Sequence, residues 1–211
     1  MAGSIRICLI AEGFTEDLVT CVDSIVSHTK TPVSIYANGK NNWISPDLFD
    51  SKQVSLTQEK NPLGWGNVIN HFLNTFSEDY LLIMDASTTF TSDPIPQTLK
   101  SLEAGYQGVG WKGGLINLED EWRTTTDKGA GEDDVLFSYY FALDRKFAIS
   151  AGGANPSAKY YRNADLELSL AIRAAGGKLL QIDLPLSQGR HHGYHDVDPR
   201  SEEHTSELQS R

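Results

Sequence analysis

The sequence predicts an α/β fold with a doubly wound, mostly parallel sheet, and three observations lead to that class. Apolar runs suited to buried strands alternate with segments whose apolar residues recur at helical spacing. The run 80–84 (YLLIM) leads directly into Asp85, as expected of a strand buried on both faces that ends at a ligand crevice. The chain has 211 residues, 39% hydrophobic and 22% charged, which suits one globular domain.

The amino-terminal half supplies the alternation that a parallel sheet needs. Strands are predicted at 5–11, 33–37, 53–57 and 80–84, and helices after Thr15, from 64 to 76 and from 94 to 102. Strands connected by helices pair in parallel and place helices on both faces of the sheet.

The segment 108–113 (GVGWKG) matches the spacing of the dinucleotide-binding fingerprint. That fingerprint requires an amphipathic helix that begins at the third glycine, and LINLEDEW follows here instead. We therefore expect a strand with close backbone packing.

The carboxyl-terminal half is predicted to contain one further strand and one further helix. A polar stretch at 119–134 indicates a long loop of the kind that covers a site. A strand is expected at 135–143, a turn at 145–151, and a helix from Asn163 to a stop at Gly176.

Charge and composition exclude several classes of protein. The formal net charge is -10, and basic residues occur singly or in pairs, so we expect no nucleic-acid partner. Cys8 and Cys21 fall on apolar faces and indicate small buried side chains instead of disulfides. No signal segment and no apolar run long enough to span a bilayer is present, so we expect a cytoplasmic protein that can lie against the inner face of the membrane.

The tail is set apart from the rest of the chain. Residues 200–211 (RSEEHTSELQSR) resemble an in-frame translation of a widely used sequencing-adapter oligonucleotide. We expect the native domain to cover 1–199 and the natural chain to continue beyond it.

Two acids lie where the predicted fold places ligand chemistry. Asp85 follows a buried strand, and Asp165 lies in the first turn of the helix after Asn163. The helix dipole and free N–H groups there favour the ionised carboxylate that a general base requires. Acids at helix N-termini also serve stability alone, so position by itself leaves the role of Asp165 open.

Four segments in this order resemble the family 2 glycosyltransferases of the GT-A fold. They are ICLIAEGFTEDLVTCVDSI (7–25), NPLGWGNVINHF (61–72), YLLIMDAST (80–88) and NADLELSLAIRAAG (163–176). The resemblance covers nearly all of 5–199. It implies a GT-A domain that transfers a sugar with inversion from a nucleotide-sugar donor to a hydroxyl on a glycan, lipid or protein, in the synthesis of bacterial cell-surface glycans.

The resemblance also implies roles for particular residues. An asparagine and glycine helix start helps bind the donor nucleotide in this family, which implies Asn61, Gly64, Gly66 and Asn70 as donor-binding residues. A DxD motif holds a divalent metal, Mn²⁺ or Mg²⁺, and the donor diphosphate, and Asp85-Ala86-Ser87 matches it. Asp165 matches the second acid of an E-D pair and would deprotonate the acceptor hydroxyl.

Three positions depart from the family pattern. Ser87 replaces the second acid of DxD, and a hydroxyl is a poorer ligand for a hard cation than a carboxylate, which leaves metal dependence open. Ala37 stands where the family usually has an aspartate that contacts the donor's base, and this leaves the base open. Ala164 replaces the first acid of the E-D pair.

The segment GRHHGYHD, 189–196, is the remaining cluster of chemically active side chains. A structural zinc site usually needs four ligands, and no cysteine lies near these histidines. A late histidine can complete the metal or phosphate site in GT-A enzymes, which implies His191 as a metal ligand beside a phosphate-facing Arg190. An exposed polar loop is the competing interpretation. Trp111 and Trp122 could stack on a sugar or could be core residues.

Two other functions remain open from the sequence. A non-catalytic nucleotide-sugar or glycan-binding module is favoured by Ser87, Ala37 and Ala164. A nucleotidyltransferase shares the doubly wound layout and would exchange pyrophosphate with a nucleoside triphosphate.

Overall fold

The structure is a computed structural model, and it describes residues 3–38, 44–49, 52–119, 124–160 and 163–189. The strands are β1 (Ile5–Ala11), β2 (Val33–Ala37), β3 (Val54–Gln58), β4 (Tyr80–Met84), β5 (Thr88–Phe90), β6 (Gly108–Gly110), β7 (Gly113–Ile116), β8 (Thr125–Thr126), β9 (Gly131–Asp133), β10 (Val135–Leu136), β11 (Tyr140–Asp144), β12 (Leu179–Gln181) and β13 (Leu186–Gln188). The helices are α1 (Thr15–His28), α2 (Trp65–Thr75), α3 (Ile95–Glu103), α4 (Arg145–Ser150) and α5 (Ala164–Ala174), with a 3₁₀ turn at Pro46–Leu48.

The main sheet has eight strands in the order β3-β2-β1-β4-β11-β6-β12-β9. The first four strands pair in parallel, and β6 pairs with β12 in parallel. The strands β11 and β9 run antiparallel to their neighbours. The mostly parallel α/β sheet predicted from the sequence is therefore confirmed.

Both faces of the sheet are covered by helices, as the doubly wound prediction requires. Ile7 and Leu9 of β1 pack in one buried cluster with α1 and α3, whereas Cys8 packs in the other cluster with α2, α4 and α5. Because successive side chains of a strand point to opposite faces, an unbroken apolar run serves both layers. Since β1 pairs in parallel with both β2 and β4, the carboxyl ends of these three strands meet at one edge of the sheet.

The segment 108–113 is a strand with close packing, as expected. A Cβ atom on Gly108 would lie 2.5 Å from the Leu179 side chain and 2.8 Å from that of Phe141. These glycines leave room for neighbouring side chains of the sheet.

Two of the predicted elements are wrong. The strand expected at 135–143 is two strands, β10 and β11, separated at 137–139. The turn expected at 145–151 is the helix α4, which is capped by the Asp144 carboxylate accepting a hydrogen bond from Phe147 N at 2.9 Å. The described part of the 119–134 loop contains β8 and β9, so it is more ordered than its polar composition suggests. Across the described ranges, no helix is both long and apolar enough to cross a membrane.

Candidate functional site

A pocket lies beyond the carboxyl ends of β1 and β4, between α1 and the start of α2. Asp85 and Ser87 form one side of it, and the segment after β1 forms another. Its lining residues are Ile10, Glu12, Gly13, Phe14, Asp17, Trp65, Ile83, Met84, Asp85, Ala86, Ser87 and Ser138. This is the position at which open α/β sheets bind ligands.

The turn after β4 fixes Asp85 and Ser87 side by side. Asp85 Oδ1 accepts a hydrogen bond from Ser87 N at 2.7 Å, and the Asp85 carbonyl oxygen accepts one from Thr88 N at 3.0 Å. The Ser87 hydroxyl is buried and has no hydrogen-bond partner in the described part of the chain. A buried polar atom without a partner is costly in a finished core, so this hydroxyl is suited to a ligand or bound water in the pocket.

The described residues of this turn include two of the ligands predicted for the metal ion. Asp85 and Ser87 supply oxygen atoms, which hard divalent cations prefer. Within the described ranges, no group of three or more histidine, cysteine, aspartate or glutamate side chains could hold a metal ion. The two residues therefore fit one side of a hard-cation site. His191, the other expected metal ligand, and Arg190, which was expected to face phosphate, lie outside the described residues.

Asp165 lies in the first turn of α5, as predicted, and is only 4% exposed. Its Oδ2 atom accepts hydrogen bonds from the backbone N of Ser138 at 3.0 Å and from the Ser138 hydroxyl at 3.2 Å. Its Oδ1 atom accepts one from Leu166 N at 3.0 Å. Asn163 precedes the helix, but its side chain makes no capping hydrogen bond.

Burial dominates the electrostatics of Asp165. Removal from water raises its pKa to about 6, although the hydrogen bonds from Ser138 and Leu166 act in the opposite direction. The carboxylate is ionised at neutral pH and is a stronger base than an ordinary aspartate. Because Ser138 also lines the pocket, one residue links this buried acid to the space beyond β4.

We predict a pH-dependent cost of keeping Asp165 ionised in the folded state. Its pKa is about 6 in the folded chain and 3.8 for an ordinary aspartate, so the folded chain binds more protons between these values, and stability from this group is lost as pH rises through that window. Relative to Asp165→Asn, wild type should lose roughly 1 to 2 kcal/mol of unfolding free energy between about pH 5 and pH 8. Denaturant titrations at both pH values measure the difference. Glu167→Gln, an exposed acid of the same helical turn, is the control, and a difference that does not change with pH would contradict the prediction.

Glu12 and Asn38 connect the ends of β1 and β2 beside the pocket. Glu12 Oε1 accepts a hydrogen bond from Asn38 Nδ2 at 2.9 Å, and burial raises the pKa of Glu12. Asn38 Oδ1 accepts hydrogen bonds from Leu63 N at 2.9 Å and Gly64 N at 3.2 Å. The Glu12 side chain, which follows β1, therefore lies beside the end of β2, next to the position of Ala37.

The predicted donor residues of α2 face another part of the protein. A Cβ atom on Gly66 would lie 1.8 Å from the Asn155 carbonyl oxygen, and one on Gly64 would lie 3.2 Å from that of Ala158. Asn70 exchanges two hydrogen bonds with the Ala154 backbone, at 2.8 and 2.9 Å. These three residues hold α2 against the segment 154–159.

The remaining predicted site residues are more dispersed. Asn61 precedes α2, is exposed, and does not line the pocket. Trp122 lies outside the described residues, while Trp111 is half-buried after β6.

Sequence reasoning missed Glu12, Phe14 and Ser138 as pocket residues. The segment after β1 could have been found from topology, because β1 and β4 are parallel neighbours whose carboxyl ends meet. Ser138 had no local signal, since it lies within a run of apolar and aromatic residues.

Comparisons with known proteins support the fold. No protein-family model and no curated protein matches the sequence. Among solved structures, the chain is similar to the mannosyltransferase PcManGT from Pyrobaculum calidifontis, in complex with GDP-Man and Mn²⁺, at 13% identity and a TM-score of 0.71 over 97% of this chain and 62% of that one. It is also similar to GalNAc-T7 with UDP, GalNAc and Mn²⁺, at 13% identity and a TM-score of 0.65 over 89% of this chain and 44% of that one. The chain therefore has the GT-A fold of nucleotide-sugar glycosyltransferases, and it spans less than two thirds of either neighbour.

Proposed function

We propose that the chain is an inverting glycosyltransferase that moves a sugar from a nucleotide-sugar donor to an acceptor hydroxyl. The observation that carries the proposal is Asp165, a buried carboxylate with a pKa of about 6 that is hydrogen-bonded to the pocket residue Ser138. A general base works best when its pKa lies near the working pH. Perturbed acids in clefts are also found preferentially at functional sites.

The reaction is a single displacement at the anomeric carbon of the donor sugar. The acceptor oxygen forms a bond to that carbon while the bond to the diphosphate oxygen breaks, and the electron pair leaves with the nucleoside diphosphate. Asp165 takes the proton of the acceptor hydroxyl. Attack from the face opposite the leaving group inverts the anomeric configuration.

Asp85 and Ser87, which line the pocket, are proposed to face the donor diphosphate. A divalent cation, Mn²⁺ or Mg²⁺, held by Asp85 and Ser87 with His191 would neutralise charge on the leaving group when bound. The sequence continues with Arg190 and His191 after Gly189, whose N–H group donates to the Ser87 carbonyl oxygen at 2.8 Å. This hydrogen bond supports the proposal that Arg190 and His191 belong to the same site.

The donor class is proposed from the structural neighbours. PcManGT is described with GDP-Man and Mn²⁺, and GalNAc-T7 with UDP, GalNAc and Mn²⁺. We propose a nucleoside diphosphate sugar for this chain too, with a glycan, lipid or protein as acceptor and Asn61 near the donor. For Gly64, Gly66 and Asn70 the packing against 154–159 favours an indirect part in donor binding, through the position of α2.

The proposal predicts nucleotide release from a panel of nucleotide sugars. One donor should release its nucleotide, and Asp165→Asn should abolish this release. The rate of release is measured with manganese, with magnesium and with a chelator. Loss of release in chelator would show that the reaction depends on a divalent metal ion. Thermal stabilisation by a nucleotide sugar without release or transfer would contradict the enzyme proposal and favour the binding module, which the missing acids at Ser87 and Ala164 make the second candidate.

A further inference from the structure

Lys112 lies in the turn between β6 and β7 and has an unusual set of neighbours. Its Nζ atom donates a hydrogen bond to Gln188 Oε1 at 2.8 Å. The same atom lies 4.6 Å from the centre of the Trp111 ring and 5.4 Å from that of Tyr139. The half-buried ammonium is thus held in one place by an amide oxygen and two aromatic faces.

These contacts connect Lys112 to the turn that carries Asp85 and Ser87, although Lys112 does not itself line the pocket. Gln188 of β13 pairs with Thr88 of β5, directly after the Ser87 turn, and the next residue donates its N–H group to the Ser87 carbonyl oxygen. The backbone of Asp85 in turn donates to the Tyr139 carbonyl oxygen at 3.4 Å. One network of backbone and side-chain contacts therefore joins the lysine to the turn that carries Asp85.

The electrostatic surroundings of Tyr139 agree with this placement. Burial raises the pKa of its phenol most, the Asp85 carboxylate raises it next, a hydrogen bond with the Gln188 side chain lowers it, and Asp165 has a smaller raising effect. Tyr139, the ring beneath Lys112, is therefore close enough to both acids of the proposed reaction to respond to their charges, and it responds more to Asp85.

The charge of Lys112 is not matched by an acid. Among the described residues, no carboxylate lies within ion-pair distance of its Nζ atom. An ammonium has three donors, and the amide of Gln188 uses one of them. None of the described residues accepts from the other two donors, so they and the positive charge are available to an anionic ligand.

On the basis of the proposed function, we propose that Lys112 binds the diphosphate of the donor and stabilises its charge when it leaves. Ser87 replaces the second acid of the DxD motif, which would help to hold a metal ion. The positive charge of Lys112 would take over part of the role of that ion. The lysine forms no covalent bond with the donor.

The test is the affinity for UDP and GDP in chelator, by calorimetry, with Lys112→Met as the variant. Methionine keeps the apolar stem against the two rings and removes the charge. We expect the dissociation constant of the preferred nucleoside diphosphate to rise roughly 10- to 100-fold, as for loss of a hydrogen bond to a charged group. The dissociation constant of the parent nucleoside, which has no phosphate, should change by less than about two-fold when it is measured by competition. Lys112→Arg should recover much of the affinity for the nucleoside diphosphate.

Lys128→Met, which removes an exposed lysine from the segment between β8 and β9, is the matched control and should bind as wild type does. An unchanged dissociation constant in Lys112→Met would overturn the proposal, and an increase in the KM for acceptor alone would assign the lysine to the acceptor instead. Donor turnover by the wild-type chain is measured in parallel, because it tests the proposed function independently of Lys112. If wild type turns over a donor with metal present but does not bind the corresponding nucleoside diphosphate in chelator, the role of Lys112 is overturned and the proposed function stands.

Discussion

Replacement of Asp165 by asparagine is expected to slow sugar transfer roughly a thousand-fold and to leave donor affinity within about two-fold. Asparagine has the same shape, and its amide oxygen can still accept the hydrogen bonds from Ser138, but it cannot take a proton from the acceptor. Transfer at saturating donor, measured beside calorimetric titration of the donor, separates these two effects. In wild type, kcat/KM should fall as pH drops below about 6, the pKa of this acid.

The control for this prediction comes from the same helical turn. Glu167 is an exposed acid that accepts a hydrogen bond from Asn155 Nδ2 at 3.0 Å, and glutamine can keep this bond. Glu167→Gln should therefore turn over within two-fold of wild type. If Asp165→Asn retains more than a tenth of the activity, the proton is removed by another group. A parallel loss of donor affinity would instead indicate that Asp165 supports the shape of the pocket.

The two acids of the proposed site could be predicted from the sequence because each has a strong local pattern. Asp85 follows an unbroken apolar run, and Asp165 lies in the first turn of a helix with a clear apolar face and a glycine stop. The order of strands and helices likewise follows from local periodicity, and this was enough to give the mostly parallel sheet.

The features that the sequence did not reveal depend on contacts between distant residues. The break between β10 and β11 brings Ser138 to Asp165, 27 positions away, and no local pattern distinguishes that break from a continuous apolar strand. Lys112 likewise meets Gln188 only through the fold, 76 positions along the chain. The glycines at the start of α2 were recognised, but the segment that packs against them lies far away in sequence.

Gly66 packs closely against the segment 154–159, so Gly66→Ala is expected to lower the free energy of unfolding by roughly 3 kcal/mol. The added Cβ would lie 1.8 Å from the carbonyl oxygen of Asn155 and 2.8 Å from its carbon, and backbone atoms cannot rotate away as a side chain can. A shift of the segment would also strain the hydrogen bond from Gly66 N to the Ala158 carbonyl oxygen, now 2.9 Å. Alanine is the better helix former, so the clash acts against propensity.

Denaturant unfolding of Gly66→Ala beside Gly176→Ala isolates the clash from the general cost of replacing a glycine. Gly176 follows α5 with a φ of +88°, and its Cβ would meet no atom within 4 Å, so alanine there adds only backbone strain of about 1 kcal/mol. Gly66→Ala should be clearly the less stable variant. If it is instead as stable as Gly176→Ala but binds the nucleotide-sugar donor more weakly, the space at Gly66 serves the donor directly. Loss of stability with donor affinity preserved in the folded fraction would show that this glycine acts by holding α2 against 154–159.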